Sequence, residues 1–187
     1  MTTANEAAIV AVAVVLVILI VFLALRFGRS ANTRYGKLWG PLAAIVNGKP
    51  QGSRLSGTYR GRPVAARIAG GGEDTPYYYE LTMTPGPAPQ DWALAYTGEK
   101  FLGTGTKTWR VKSKDDGLQR RMTEAGAALA VQNLTGQLDI TYKGKNGVLT
   151  YRTQTQGAFD IPSVEQFQAQ LDLLAQLSEL NSKANTG

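Results

Sequence analysis

The sequence predicts an α+β protein: a single N-terminal transmembrane helix followed by one domain with a mainly antiparallel sheet and packed helices. Three observations predict it. Residues 7–25 contain only Ala, Val, Ile, Leu and Phe; residues 54–152 hold short alternating apolar runs punctuated by Gly and Pro; and residues 164–177 repeat apolar side chains at helical spacing. The 187-residue chain has room for one anchor and one domain of about 150 residues.

The elements follow in order. Residues 1–6 read as a short tail. Residues 7–25 would form a helix of roughly 28 Å, close to the ~30 Å of a hydrocarbon core. Fourteen of these residues are Val, Ile, Leu or Phe, which favours insertion by roughly 4–8 kcal/mol. Residues 26–37 read as a basic, polar linker. Leu38, Trp39, Leu42, Ala43, Ile45 and Val46 are apolar at helical spacing and end at Asn47-Gly48. Trp39 fits either a membrane interface or a core.

Strands come next. Arg54–Tyr59 and Pro63–Ile68 flank an Arg60-Gly61-Arg62 turn, and Gly70-Gly71-Gly72 breaks the second of them. Over Thr75–Thr84, Tyr77, Tyr79, Leu81 and Met83 alternate with Tyr78, Glu80, Thr82 and Thr84, the period of a strand. Pro85–Pro89 reads as a loop, since proline lacks the donor that a sheet interior needs. Trp92, Leu94 and Tyr96, and then Trp109 and Val111, continue the alternation. A helix capped by Asp115 or Asp116 follows, with Leu118, Met122 and Ala125 on one face. Residues 127–134 fit helix or strand. Leu138–Tyr142 and Val148–Arg152 make a hairpin around Asn146-Gly147, whose residue types supply positive φ. Ser163 with Gln166 forms a capping box that starts a last helix, with Val164, Phe167, Leu171, Leu174 and Leu177 on its apolar face. The sheet is expected to hold six or seven strands, the domain to cover 38–181, and 182–187 to be a tail.

Composition narrows the chemistry. The chain has no Cys and no His, which removes thiolate nucleophiles, the commonest zinc ligands and the commonest general base. No enzyme activity, cofactor or side-chain metal site is expected. Charge is asymmetric within a net +6: residues 1–72 carry nine Lys/Arg against Glu6 alone, whereas the remainder is slightly acidic. Arg26, Arg29, Arg34 and Lys37 follow the apolar run, and the tail before it has no Lys or Arg. The positive-inside rule then places the N-terminus outside and the domain in the cytoplasm, as a single-pass inner-membrane protein. These four bases are the candidate lipid headgroup-binding residues, each contributing about 1 kcal/mol near an anionic surface.

Other motifs point to structure. Gly98–Thr108 lacks the Lys that must follow the second glycine of a phosphate loop. Glu73-Asp74 and Asp115-Asp116 fit a loop and a helix cap. Tyr77 to Tyr79, with Arg110 and Lys112 on a neighbouring strand, would suit a nucleic acid, but the alternation suits a core equally and the region is net acidic, so no nucleic-acid partner is expected. Gln166, Gln168, Gln170 and Gln176 read as the solvated face of the last helix.

Several of these motifs recur together. Asn47-Gly48, Gly57-Thr-Tyr-Arg-Gly-Arg-Pro-Val64, the Tyr-rich strand, Trp109-Arg-Val-Lys-Ser113, Gly147-Val-Leu-Thr-Tyr151 and a Leu-rich final helix, in that order, resemble a broad, uncharacterised prokaryotic domain family that is often membrane-attached. The resemblance covers most of 38–181. It implies a fold and carries no catalytic residue with it. The functional expectation is a membrane-anchored structural or interaction protein, an accessory or scaffold subunit of a larger membrane complex of respiratory or photosynthetic type. Its partners would be other membrane-protein subunits and anionic lipid headgroups. The alternative is a membrane-tethered sensor or ligand-binding module.

Overall fold

A computed structural model of the chain describes residues 3–72, 75–85, 90–97, 108–131 and 138–186. It opens with α1 (Thr3–Ile45), a 43-residue helix that is continuous through the expected linker at 26–37 and through Pro41. Pro41 has no N–H to give, so the carbonyl four residues back loses its helical donor there. The helix ends on Asn47, which takes a left-handed φ of 47°, with the Gly48 amide donating to the Ala43 carbonyl at 2.8 Å.

The strands are β1 (Lys49–Gln51), β2 (Arg54–Tyr59), β3 (Arg62–Gly70), β4 (Tyr77–Met83), β5 (Trp92–Thr97), β6 (Thr108–Ser113), β7 (Leu138–Lys143) and β8 (Val148–Thr155). They form one eight-stranded sheet in the order β1-β2-β3-β4-β8-β7-β5-β6, antiparallel throughout. The last hairpin, β7–β8, is inserted between the β1–β4 meander and the β5–β6 hairpin and joins them into one sheet. Arg60 and Gly61, with φ of 49° and 75°, close the β2–β3 turn, as a two-residue hairpin requires. In the β7–β8 connection, by contrast, Gly144–Asn146 is a short 3-10 turn and Gly147 alone has positive φ, 61°.

The remaining helices are α2 (Asp116–Glu124), α3 (Ala127–Ala130) and α4 (Val164–Thr186). They pack on one face of the sheet, α2 and α3 on β6 and α4 on β8, while the end of α1 lies on β1 and β2. Alternation decides what that face offers. Leu55, Val64, Ala66, Leu81, Met83, Leu94, Val111, Ile140 and Leu149 point into the core, where they meet Trp39, Leu42, Leu118, Met122, Phe167, Leu171, Leu174 and Leu177. The other face is polar. Across it Arg67, Glu80 and Arg152 stand side by side on β3, β4 and β8, with Glu80 reaching Arg67 at 2.6 Å and Arg152 at 3.5 Å.

The end of α1 sits unusually close to β2. The Thr58 amide donates to the Val46 carbonyl at 2.7 Å. A Cβ on Gly57 would lie 2.3 Å from the Val46 carbonyl oxygen, and one on Gly48 2.3 Å from the Ser56 oxygen. Both glycines are there for the close approach of two backbones.

This architecture corrects three linked expectations. Among the described residues no helix is long and apolar enough to cross a membrane. The nine apolar side chains described in α1 from Val14 to Phe22 stand exposed on a helix that continues without a break into the folded domain. The expected fold class, with a transmembrane helix over 7–25 leading through a linker to a separate domain, gives way, among the described residues, to an eight-stranded antiparallel sheet with four helices, the first of which runs unbroken from Thr3 into the core. The single-pass, membrane and cytoplasmic-domain description falls with it, as does the inner-membrane localisation, because both rested on that span.

Candidate functional sites

Two features stand out from the ordinary packing of the sheet. The first is on α1. Val14, Val15, Leu16, Val17, Ile18, Leu19, Ile20, Val21 and Phe22 are each between 51% and 64% exposed. Nine consecutive residues at about 100° per residue cover every direction around the helix axis. The apolar surface is thus a collar and has no polar side. The first fully buried residue of the chain among those described is Trp39, so the domain core starts about five turns of helix beyond Phe22.

The four basic residues behind this collar are all helical. Arg34 and Lys37 are exposed, and the Arg34 guanidinium lies 3.9 Å above the Phe159 ring. Phe159 in turn packs on Tyr35 at 4.8 Å, and the Tyr35 hydroxyl donates to the Ala158 carbonyl at 2.8 Å. This aromatic clasp fastens α1 to the segment between β8 and α4. The side chains of Arg26 and Arg29 lie outside the described residues.

The second feature is a cleft of about 740 Å³ between α4 and the ends of β4 and β8. Each wall has a local cause. β8 presents Tyr151, Thr153 and Thr155 through strand alternation, while Asp160, Ile161 and Pro162 lead into α4. α4 is started by the reciprocal capping box, with the Ser163 amide donating to Gln166 Oε1 at 3.0 Å and the Gln166 amide to Ser163 Oγ at 3.3 Å. Its next turns bring Gln166, Gln170 and Gln176 to the cleft.

The floor is aromatic and polar at once. Tyr79 and Tyr151 pack edge to face at 6.4 Å. The Tyr79 hydroxyl is buried and has no hydrogen-bond partner, and neither has the Gln170 side-chain oxygen. Burial holds the Tyr79 phenol well above its ordinary pKa, with the Tyr151 phenol adding to the effect. Tyr151 is raised too, by burial, against a hydrogen bond from Gln170 that works the other way. No Lys or Arg is among the residues lining the cleft. At its rim Asp172 is held by the β2–β3 turn: the Tyr59 hydroxyl donates to Asp172 at 2.8 Å and Arg60 at 2.5 Å, while Gln168 reaches the Tyr59 hydroxyl at 2.5 Å. Burial, and then the Asp172 carboxylate, push the Tyr59 phenol up.

The other sequence candidates land as follows. The glycine-rich stretch at 98–107 and the Glu73-Asp74 pair lie outside the described residues. Asp115 is the N-cap of α2, its carboxylate accepting from the Leu118 amide at 2.9 Å. Tyr79 and the Arg110–Lys112 pair are not brought together. Three strands separate β4 from β6, and Tyr79 faces the helices while Arg110 and Lys112 are exposed on the other face. Trp39 is a core residue. Of the glutamines expected to be solvated, Gln166 and Gln176 are exposed at the cleft, whereas Gln168 and Gln170 are half-buried, Gln168 tying α4 to Tyr59 and Gln170 lining the cleft. Among the described residues there is no group of three or more acidic side chains able to hold a metal ion.

Comparison with protein-family models, curated proteins and solved structures returns no match. The chain's chemistry is therefore read from its own geometry.

Proposed function

We propose that this is an interaction protein, an accessory subunit that attaches its folded domain to a larger assembly by packing α1 among apolar helices of partner subunits. The single observation that supports the reading is the collar at Val14–Phe22, exposed on every side. Fully burying a side chain of this kind is favourable by about 1.5–3 kcal/mol, so nine of them supply on the order of 10 kcal/mol for association even at partial burial. Contiguous apolar surface of this extent marks an interaction site.

The shape of the surface also constrains the partner. A single groove covers one side of a helix and leaves the rest wet. A collar with no polar side calls for neighbours all round, which a bundle of several apolar helices supplies. Polar substitution at Leu16 and Ile20 tests this. With both changed to Gln, the native mass of the purified assembly should fall to that of the single chain while the domain stays folded. An unchanged mass would count against the reading. So would a wild-type chain that is monomeric in water, or one that partitions into lipid vesicles with no protein neighbour.

A further inference from the structure

We propose that the cleft between α4 and the β4–β8 strands is a binding site for a small uncharged molecule with an amide or lactam edge, its carbonyl accepting from Tyr79 and its N–H donating to Gln170. The inference stands apart from the role given to α1. It starts from two orphaned groups on one floor: the Tyr79 hydroxyl, a donor in a residue only 1% exposed, and the Gln170 side-chain oxygen, an acceptor. Buried polar atoms are almost always paired, and leaving a donor and an acceptor unpaired is costly. An amide or lactam carries the complementary acceptor and donor side by side. Both atoms are closed off in the free chain, so binding requires the Gln170 side chain to leave its hydrogen bond with Tyr151 and swing aside.

Charge selects against other ligands. The lining holds Asp160 and Asp172 and no base, and Arg60 at the rim is already paired with Asp172, so the lining itself offers a phosphate or carboxylate no cation. Tyr79 stays protonated through neutral pH because burial raises its pKa, which keeps it a donor. The apolar flank of Ile161, Pro162 and Leu173 suits a ring or short alkyl body behind the polar edge, the usual composition of a small-molecule site.

Titrating the full chain, ¹⁵N-labelled, with 2-pyrrolidone or uracil as the probe tests the assignment, with inorganic phosphate as the anionic control. Saturable shifts should appear at Thr153, Thr155 and the Gln170 side-chain amide, and phosphate should produce none there. Tyr79→Phe should weaken probe binding about tenfold, the loss expected for one hydrogen bond in a desolvated site. The same variant should keep or raise the thermal stability of the free protein, because it removes an unpaired hydroxyl rather than a bond. Gln170→Leu should weaken binding comparably. The assignment is overturned if neither probe gives saturable shifts at these residues, if phosphate binds there, or if Tyr79→Phe binds as well as the parent. A marked loss of stability in Tyr79→Phe also overturns it, since that would reveal an internal partner for the hydroxyl.

Discussion

The two apolar stretches of α1 have opposite fates. Val14–Phe22 is at least 51% exposed at every position, whereas Trp39, Leu42, Ala43 and Val46 are 8% exposed or less. The exposed stretch is the more apolar of the two. What separates them is neighbours. The second stretch lies on β1 and β2, backed by α4, and is locked down by the Thr58–Val46 backbone bond. Among the described residues, none covers the first. Hydrophobicity makes burial favourable, but the fold decides where a partner surface exists. An apolar stretch that its own fold leaves bare implies a surface elsewhere.

Substitutions can break or sharpen this contrast. The largest effect is expected at Trp39→Ala, which should cost the isolated chain about 3–5 kcal/mol in urea unfolding by opening a cavity in the core. Leu16→Ala in the same measurement should change stability by no more than about 0.5 kcal/mol. Equal losses would mean that α1 packs along its whole length. Gly57→Ala should follow, at about 1–3 kcal/mol, because the new methyl meets the Val46 carbonyl and forces the helix end off β2. Hydrogen exchange at Thr58 should then speed up while exchange in β7 and β8 is unchanged.

The buried side of the contrast also has a pH signature. Tyr79 has a folded-state pKa above its unfolded value near 10, so the folded state binds that proton more tightly. Ionisation is thus penalised in the folded state, so stability is unaffected below pH 10 and is lost as pH rises from there through the folded pKa. Alkaline titration should therefore unfold the domain, and Tyr79→Phe should move the midpoint to higher pH. A midpoint left in place would assign the transition to Tyr59 or Tyr151, whose phenols are raised in the same direction. A smaller loss than at Trp39 or Gly57 is set at a helix end: Asp115→Ala should cost about 1 kcal/mol through loss of the cap on the Leu118 amide.

Much of the domain was legible in the sequence because its signals are local. The Arg60-Gly61 turn, the alternation of Tyr77–Met83, the Asp115 cap and the Ser163–Gln166 box each sit within a few residues and are found where those residues predict them. The sheet order was not legible, since β7–β8 slots between strands distant in sequence and no local pattern encodes that pairing. β1 escaped for a related reason: Lys49-Pro50-Gln51 is three exposed residues with no alternation to read.

The cleft was hidden most completely. Tyr79 is one tyrosine in an ordinary strand alternation, and Gln170 is one glutamine on a polar helix face. Only the packing of α4 across β8 makes an orphaned pair of them. The presence of several glutamines on the sheet-facing edge of α4 was the one signal available. The span expected at 7–25 failed differently: composition described the residues well, but their role depended on surroundings that composition does not encode.

The proposed role of α1 is tested most directly by photo-crosslinking from inside the collar. A photo-activatable residue placed singly at Leu16, Val17, Ile18 and Leu19 samples four directions, about 100° apart, around one turn. If α1 packs in a bundle of partner helices, all four positions should crosslink in cells to protein of defined mass, with at least two different contact sites among them. Loss of those products in the Leu16→Gln, Ile20→Gln background should accompany collapse of the native complex. Crosslinks to protein from one direction only would reduce the collar to a single groove contact. Crosslinks to lipid alone, or to nothing, would contradict the account.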